Sequence, residues 1–184
     1  MSMWDNNHKV GGCALSVQRI YQEFSHTHNI NTKRVPNRHK EVTMSWRLQS
    51  NKKFLSNKCK KCKDEEIDNQ CASKINMMLI ALKDHAVGLA ANQIFMTNRV
   101  FGINDNGKII IFINPEIEIL DDSTFDSLEG CLSIKNGTKQ YKVQRYNKVK
   151  IKSNNQEDMI FDGYMSTVVQ HEMDHLNGIL ISNK

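Results

Sequence analysis

No stretch of the 184-residue chain approaches the run of about 18 apolar residues that a membrane-spanning helix needs. The N-terminus also lacks the apolar core of a secretory signal: "MSMWDNNHKVGGCALSV" is interrupted by Asp5, two asparagines and a histidine. Cysteine is scarce and odd in number. Cys13, Cys59, Cys62, Cys71 and Cys131 form no even framework of disulfides, so a reducing compartment with thiols free or metal-bound is the expectation. No internal repeat is present, which excludes a solenoid or propeller. What remains is a globular composition. At 39% hydrophobic and 24% charged, the chain can build one packed domain.

Acidic residues are missing from the front third. Residues 1–63 carry 13 Lys and Arg against 3 Asp and Glu, whereas residues 64–184 carry 12 against 17. A basic front can serve nucleic acid or an organelle address. Here the charges are dispersed among Asn and His, and Pro36 breaks the stretch, so residues 1–45 read as a solvated, flexible extension. The domain proper is expected over 46–184. Asp5 and Glu23 interrupt the leader and favour the cytoplasm over a mitochondrion or plastid.

Periodicity organises the rest. In "DEEIDNQCASKINMMLIALKD" (64–84), acids crowd the first turn, where the helix dipole favours them, and Ile67, Cys71, Ile75, Met78 and Leu82 form one apolar stripe. An amphipathic helix is predicted. "RVFGIN" and "KIIIFINPEIEIL" flank Asn106-Gly107, a hairpin signal, with Pro115 marking a break. "KQYKVQRYNKVKIK" alternates, with Tyr141, Val143, Arg145, Val149 and Ile151 on one parity. A last helix is predicted from about Tyr164 to Asn177, with Met165, Val168, Val169, Met173 and Leu176 on its apolar face and Gly178 as its C-terminal cap. The fold class is α+β: antiparallel sheets packed around a central metal-binding helix, with one amphipathic helix ahead of them.

That last helix carries "HEMDH". Residues four apart share a helix face, so His171 and His175 can grip one ion with two imidazoles. Glu172, about 100° further round, can flank the ion without ligating it, which suits a general base. Two buried core histidines would show the same spacing. The apolar surroundings favour metal, and so does the lack of other histidines nearby, His85 being the only further one in the domain. A catalytic ion takes three protein ligands and leaves a position open. No Asp, Glu or His follows His175, so a third ligand has to come from upstream. Cys131, in the Gly-containing turn "LEGCLS", is a candidate, although a lone cysteine is ordinarily a small buried hydrophobe. "CKKC" (59–62) is a weak signal, because a zinc knuckle needs four ligands and Cys71 belongs to the predicted apolar stripe.

"AVGLAANQ" (86–93), "EGCLS" (129–133) and "QHEMDHLNG" (170–178) occur in this order, and "INPEI" and the Arg145 strand accompany them. On these motifs, over about residues 50–180, the chain resembles the peptide deformylases. The resemblance implies a hydrolase that removes the N-formyl group from the formyl-methionine of nascent polypeptides and releases formate. The alternative is a deformylase-like peptide- or ribosome-binding module without activity. The resemblance assigns Cys131, His171 and His175 to the metal, which would be Fe2+ with Zn2+ or Ni2+ able to substitute. It makes Glu172 the general base and then the general acid. Gln93 would donate its amide, and Leu132 its backbone N–H, to the developing oxyanion. Val87, Gly88 and Leu89 would form an edge strand for the substrate peptide, with Gly130, Thr167 and Val168 completing the substrate site. The ribosome is a further expected partner, and no membrane or specific nucleic acid is. Ala86 stands where the family motif has its first glycine.

Overall fold

A computed structural model describes residues 48–61 and 64–184 of the chain. The basic extension read over 1–45, and Cys62 of "CKKC", lie outside the described residues. The described residues form three α-helices: α1 (Lys52–Leu55), α2 (Glu65–Leu82) and α3 (Gly163–Leu176). Six strands form two antiparallel sheets. β1 (Gly88–Ala90), β2 (Val100–Asp105) and β3 (Lys108–Ile113) make one. β4 (Glu116–Glu129), β5 (Tyr141–Lys152) and β6 (Met159–Asp162) make the other. The α+β class is as expected.

The first sheet is sandwiched. On β2, Val100 joins the cluster of Cys71, Ile75, Met78 and Leu79 on α2, while Phe101 and Ile103 turn the other way to Val169, Met173 and Leu176 on α3. Both faces are covered, so this strand reads as a continuous apolar run rather than an alternation. Gly102 lets α2 sit close: a Cβ there would fall 2.7 Å from Ile75 Cγ2 and 3.0 Å from Leu79 Cδ1. The second sheet closes on α3 from its other side with Val149, Ile151 and Phe161. Phe101 stacks on Phe112 with ring centroids 4.8 Å apart, and Phe112 meets Phe161 edge-on at 6.0 Å, joining the two sheets. α3 is thus the central element.

The turns follow the signals in the sequence. Asn106 and Gly107 both take positive φ (51° and 91°) in the β2–β3 hairpin, as a two-residue I′ turn requires. At Asn114-Pro115 the chain leaves the first sheet for the second. The outer edge of β3 is then occupied by the loop before β6. Asn154 N–H donates to Ile113 O (2.9 Å), Asn155 bonds both Ile113 N–H and Ile111 O (2.9 Å each), and Gln156 Nε2 donates to Ile111 O (3.1 Å). No helix among the described residues is long and apolar enough to cross a membrane.

One expectation needs correction. Ile67, expected on the apolar stripe of α2, is 44% exposed, and Leu79 takes its place in the core. The first turn of α2 overhangs loop amides rather than apolar side chains. Asp68 therefore faces inward and accepts from Asn98 Nδ2 (3.0 Å) and Asn114 Nδ2 (3.5 Å), leaving Ile67 turned to solvent. β4 continues past "PEIEIL" through "DDSTFDS" to Glu129, with register irregularities at Ile119–Asp121 and Asp121–Thr124. Acids and serine have low strand propensity, but pairing along β5 overrides it.

Gly178 follows Asn177 at the end of α3 with φ 73°, the left-handed cap that glycine favours. Its Cα also lies against α1: an added Cβ would collide with the Ser56 carbonyl and approach Asn57 C to 3.1 Å. Gly178→Ala should therefore lower unfolding stability by about 2–4 kcal/mol, combining φ strain with overpacking. Urea unfolding followed by circular dichroism measures it.

Candidate metal centre and substrate cleft

α3 carries His171 and His175 one turn apart, with ring centroids separated by 5.0 Å. β4 delivers the third group. It ends at Glu129, and the chain turns at Gly130 so that Cys131 Sγ lies 3.2 Å from His175 Nε2. The potential ligand atoms of Cys131, His171 and His175 all fall within 4.8 Å of one another. Ligands at tetrahedral zinc distances sit about 3.3–3.8 Å apart. Cys131 (4% exposed) and His175 (2%) are buried, so the thiol and the imidazole have displaced water towards each other. Among the described residues no other group of His, Cys, Asp or Glu gathers in this way. Cys59 and Cys71 are free, buried thiols in separate apolar clusters.

A ladder of charges supports His171 from behind. Glu129 accepts two bonds from Arg145, Nε to Oε1 at 2.6 Å and NH2 to Oε2 at 2.8 Å. Burial works against an ionised Glu129, but its hydrogen bonds with Arg145 and His171 outweigh that and hold the carboxyl down at about 2. Being ionised, Glu129 can only accept, so His171 Nδ1 must be the donor across their 2.9 Å contact. That fixes the tautomer and aims Nε2 away from Glu129. Arg145 NH1 reaches on to Asp174 Oδ2 at 2.5 Å.

The same field favours positive charge among the ligands. Burial depresses His171, yet hydrogen bonds with Cys131 and Glu129 and the charge of Glu172 raise it to about 10. His175 is held well below its ordinary value by burial and by the neighbouring His171 and Arg145 charges, so it is neutral and can act as a ligand. Glu172 is raised to about 7, chiefly by burial. Its Oε2 is buried and has no hydrogen-bond partner among the described residues. A thiol, two imidazoles, a field that favours positive charge and an unpaired carboxylate oxygen together suit a divalent cation and a water.

The cleft before this centre encloses about 280 Å3. Val87, Gly88, Leu89, Gln93, Gly130, Cys131, Leu132, Thr167, Val168, His171 and Glu172 all line it, while His175 lies behind them. Leu89 contributes backbone, since its side chain packs under α2. Gly88 is glycine for a local reason: an added Cβ would lie 2.9 Å from both Cγ and Cδ of Glu172. Gln93 is held on both ends of its amide. Its Oε1 accepts from Ala90 N–H (2.9 Å), and its Nε2 points at Ser133 Oγ (3.2 Å) and Cys131 Sγ (3.7 Å). The Leu132 N–H has no hydrogen-bond partner among the described residues. Ala86 adopts φ −139° and ψ 119°, an extended conformation open to any residue, so alanine is accommodated there without backbone strain.

A model of the polypeptide deformylase family matches residues 31–184. The chain belongs to the polypeptide deformylase family. The matched span begins within the stretch read as a leader. The peptide deformylase of Clostridium botulinum (strain Alaska E43 / Type E3) is 36% identical over 131 residues, covering 68% of this chain and 87% of the relative. That of Wolbachia pipientis wMel is 33% identical over 132 residues, 62% of this chain and 73% of the relative. Among solved structures, the Thermotoga maritima peptide deformylase superposes with TM-score 0.66 at 29% identity, covering 75% of this chain and 95% of that one. A Met-Ala-Ser-bound class I type b enzyme of Acinetobacter baumannii gives 0.66 at 25% identity over 75% and 97%. As a deformylase, this chain hydrolyses the N-formyl group from formyl-methionyl peptides.

Sequence reasoning missed the partners of the deformylase motifs: Glu129, Asp174 and Ser133, together with Ser127, Leu128 and Tyr164 on the cleft wall. One signal was available. Arg145 shares the inward parity of Val143 and Val149, and a buried guanidinium demands carboxylates. Arg145→Met should leave Glu129 and Asp174 as unpaired buried charges and cost about 3–5 kcal/mol of stability. Thermal and urea unfolding of the metal-free protein reads that loss.

Proposed function

We propose that Cys131, His171 and His175 hold a single divalent cation, ferrous iron in the cell and replaceable by zinc or nickel, and that Glu172 is the proton carrier of the hydrolysis. The convergence of the three ligand atoms to within 4.8 Å carries this reading. When bound, such a cation supplies Lewis acidity, easing deprotonation of a water and polarising the formyl carbonyl.

The chain's own groups account for the rest. The substrate peptide adds to the first sheet as a further strand along the outer edge of β1, which among the described residues pairs with β2 alone. The Acinetobacter enzyme carries the tripeptide Met-Ala-Ser, and a peptide of that class suits this cleft. The methionine side chain lies against Thr167, Val168 and Gly130. Glu172, in a nearly dry site, takes the proton of the attacking water. As the formyl oxygen gains charge, Gln93 Nε2 and the Leu132 N–H donate to it. Each such donor typically contributes about 3–4 kcal/mol to the transition state. The Gln93 amide is already clamped by Ala90 and Ser133, so little reorganisation accompanies that step. Glu172 then gives its proton to the departing amine, leaving formate and a free N-terminal methionine. Because the substrate is a nascent chain, the ribosome is a partner and the cytoplasm the compartment.

Anaerobically prepared, iron-loaded protein should hydrolyse formyl-Met-Ala-Ser and leave acetyl-Met-Ala-Ser nearly untouched; preference for the acetyl peptide would defeat the assignment. Glu172→Gln should retain one metal per chain while kcat falls by about 10²–10⁴. Full activity in that variant would remove Glu172 from the mechanism. Cys131→Ala should lose tightly bound metal on dialysis, as metal analysis by mass spectrometry will show.

A further inference from the structure

The ladder behind His171 does not stop at Asp174. Lys184 Nζ lies 2.7 Å from Asp174 Oδ2, the same oxygen that receives Arg145 NH1. From there the contacts run Arg145 to Glu129 (2.6 and 2.8 Å) and Glu129 to His171 Nδ1 (2.9 Å). Charges alternate along the row: lysine, carboxylate, guanidinium, carboxylate, imidazole. We propose that Lys184 is a positioning residue of the metal centre, acting through Asp174, Arg145 and Glu129 on the ligand His171.

The segment that bears Lys184 is anchored for this role. After Gly178 the chain folds back, and Leu180 (1% exposed) and Ile181 (2%) enter a buried cluster with Leu55, Ile134, Val143 and Cys131 itself. Cys131 is therefore backed by this segment through apolar contact, and His171 is tied to it through the ion pairs. Both ligand-bearing elements, the end of β4 and α3, lean on it.

The competition at Arg145 gives the ladder its physical content. Its guanidinium is shared between two carboxylates, Nε and NH2 on Glu129 and NH1 on Asp174. With Lys184 in place, Asp174 has a second cation and draws less on the guanidinium. Without it, Asp174 competes more strongly for Arg145, and Glu129 becomes a less well-held acceptor for His171. The Lys184–Asp174 pair is partly exposed (side chains 29% and 14%), and pairs of that kind add little to global stability. Its effect belongs at the centre, where altering the groups behind a metal ligand typically changes metal affinity by about 10–100-fold. Lys184 is four contacts from His171, which reduces the expected change to about 3–10-fold.

This inference rests on the ligand assignment proposed above, and the experiment separates the two. The full chain, loaded with zinc, is mixed with excess chromogenic chelator well below its unfolding temperature, and the release rate is followed. Lys184→Met should release zinc about 3–10-fold faster than the wild type, with an unchanged melting temperature for the metal-free protein. Lys184→Arg should restore the rate to within about twofold. In an Asp174→Asn background, Lys184→Met should change nothing further. Release from Lys184→Met at the wild-type rate overturns the proposal, as does an effect that persists without the Asp174 carboxylate. If Cys131→Ala holds zinc as firmly as the wild type, the ligand assignment falls and the ladder's role with it.

Discussion

Arg145 is 1% exposed and carries a full positive charge. Such a group survives burial only when carboxylates surround it in good geometry. Here they are Glu129, at the end of β4, and Asp174, in the last turn of α3. One guanidinium therefore pins the two elements that carry the proposed metal ligands. If Glu129 loses its partner, His171 loses its fixed tautomer, and the turn that presents Cys131 loses its hold on the sheet. The constraint reaches further, because β5, which bears Arg145, is also the strand along which the long, acidic β4 pairs.

Much of this could be read from residues alone. The hairpin at Asn106-Gly107, α3 with its histidine pair, and the helix before the first sheet all follow from periodicity and turn chemistry. The cleft-lining positions followed from motifs in a fixed order. Tertiary structure decided the rest. The outward turn of Ile67 and the burial of Asp68 depend on amides of Asn98 and Asn114, which lie some thirty to forty-six residues along the chain. The run of β4 through "DDSTFDS" contradicts local propensity and exists because β5 offers it hydrogen bonds. Cys131 as a partner of His175 needed either coordinates or the family motifs, since nothing in its own neighbourhood separates it from an ordinary buried thiol.

The cleft shows how few degrees of freedom are left at the reacting centre. Gly88 brings backbone against the Glu172 carboxylate. Gln93 is held at oxygen by Ala90 and at nitrogen by Ser133. His171 is oriented by Glu129. These groups are held by contacts present without substrate, so the proposed reaction would ask little reorganisation of them. The stability invested in Arg145 and its carboxylates would then serve that order.

The first sheet has two margins, and they are treated differently. Along β3, Asn154, Asn155 and Gln156 occupy the backbone groups of Ile111 and Ile113. Along β1 no second strand pairs among the described residues, although the Ala90 N–H is taken by Gln93 Oε1, and this margin is only three residues long beside a charged, concave wall. An exposed sheet margin invites other chains to stack on it, and proteins that keep one usually shorten or block it. Here one side is sealed by a loop and the other is kept to three residues, so the proposed peptide strand would find its place at a margin that offers little to a longer sheet.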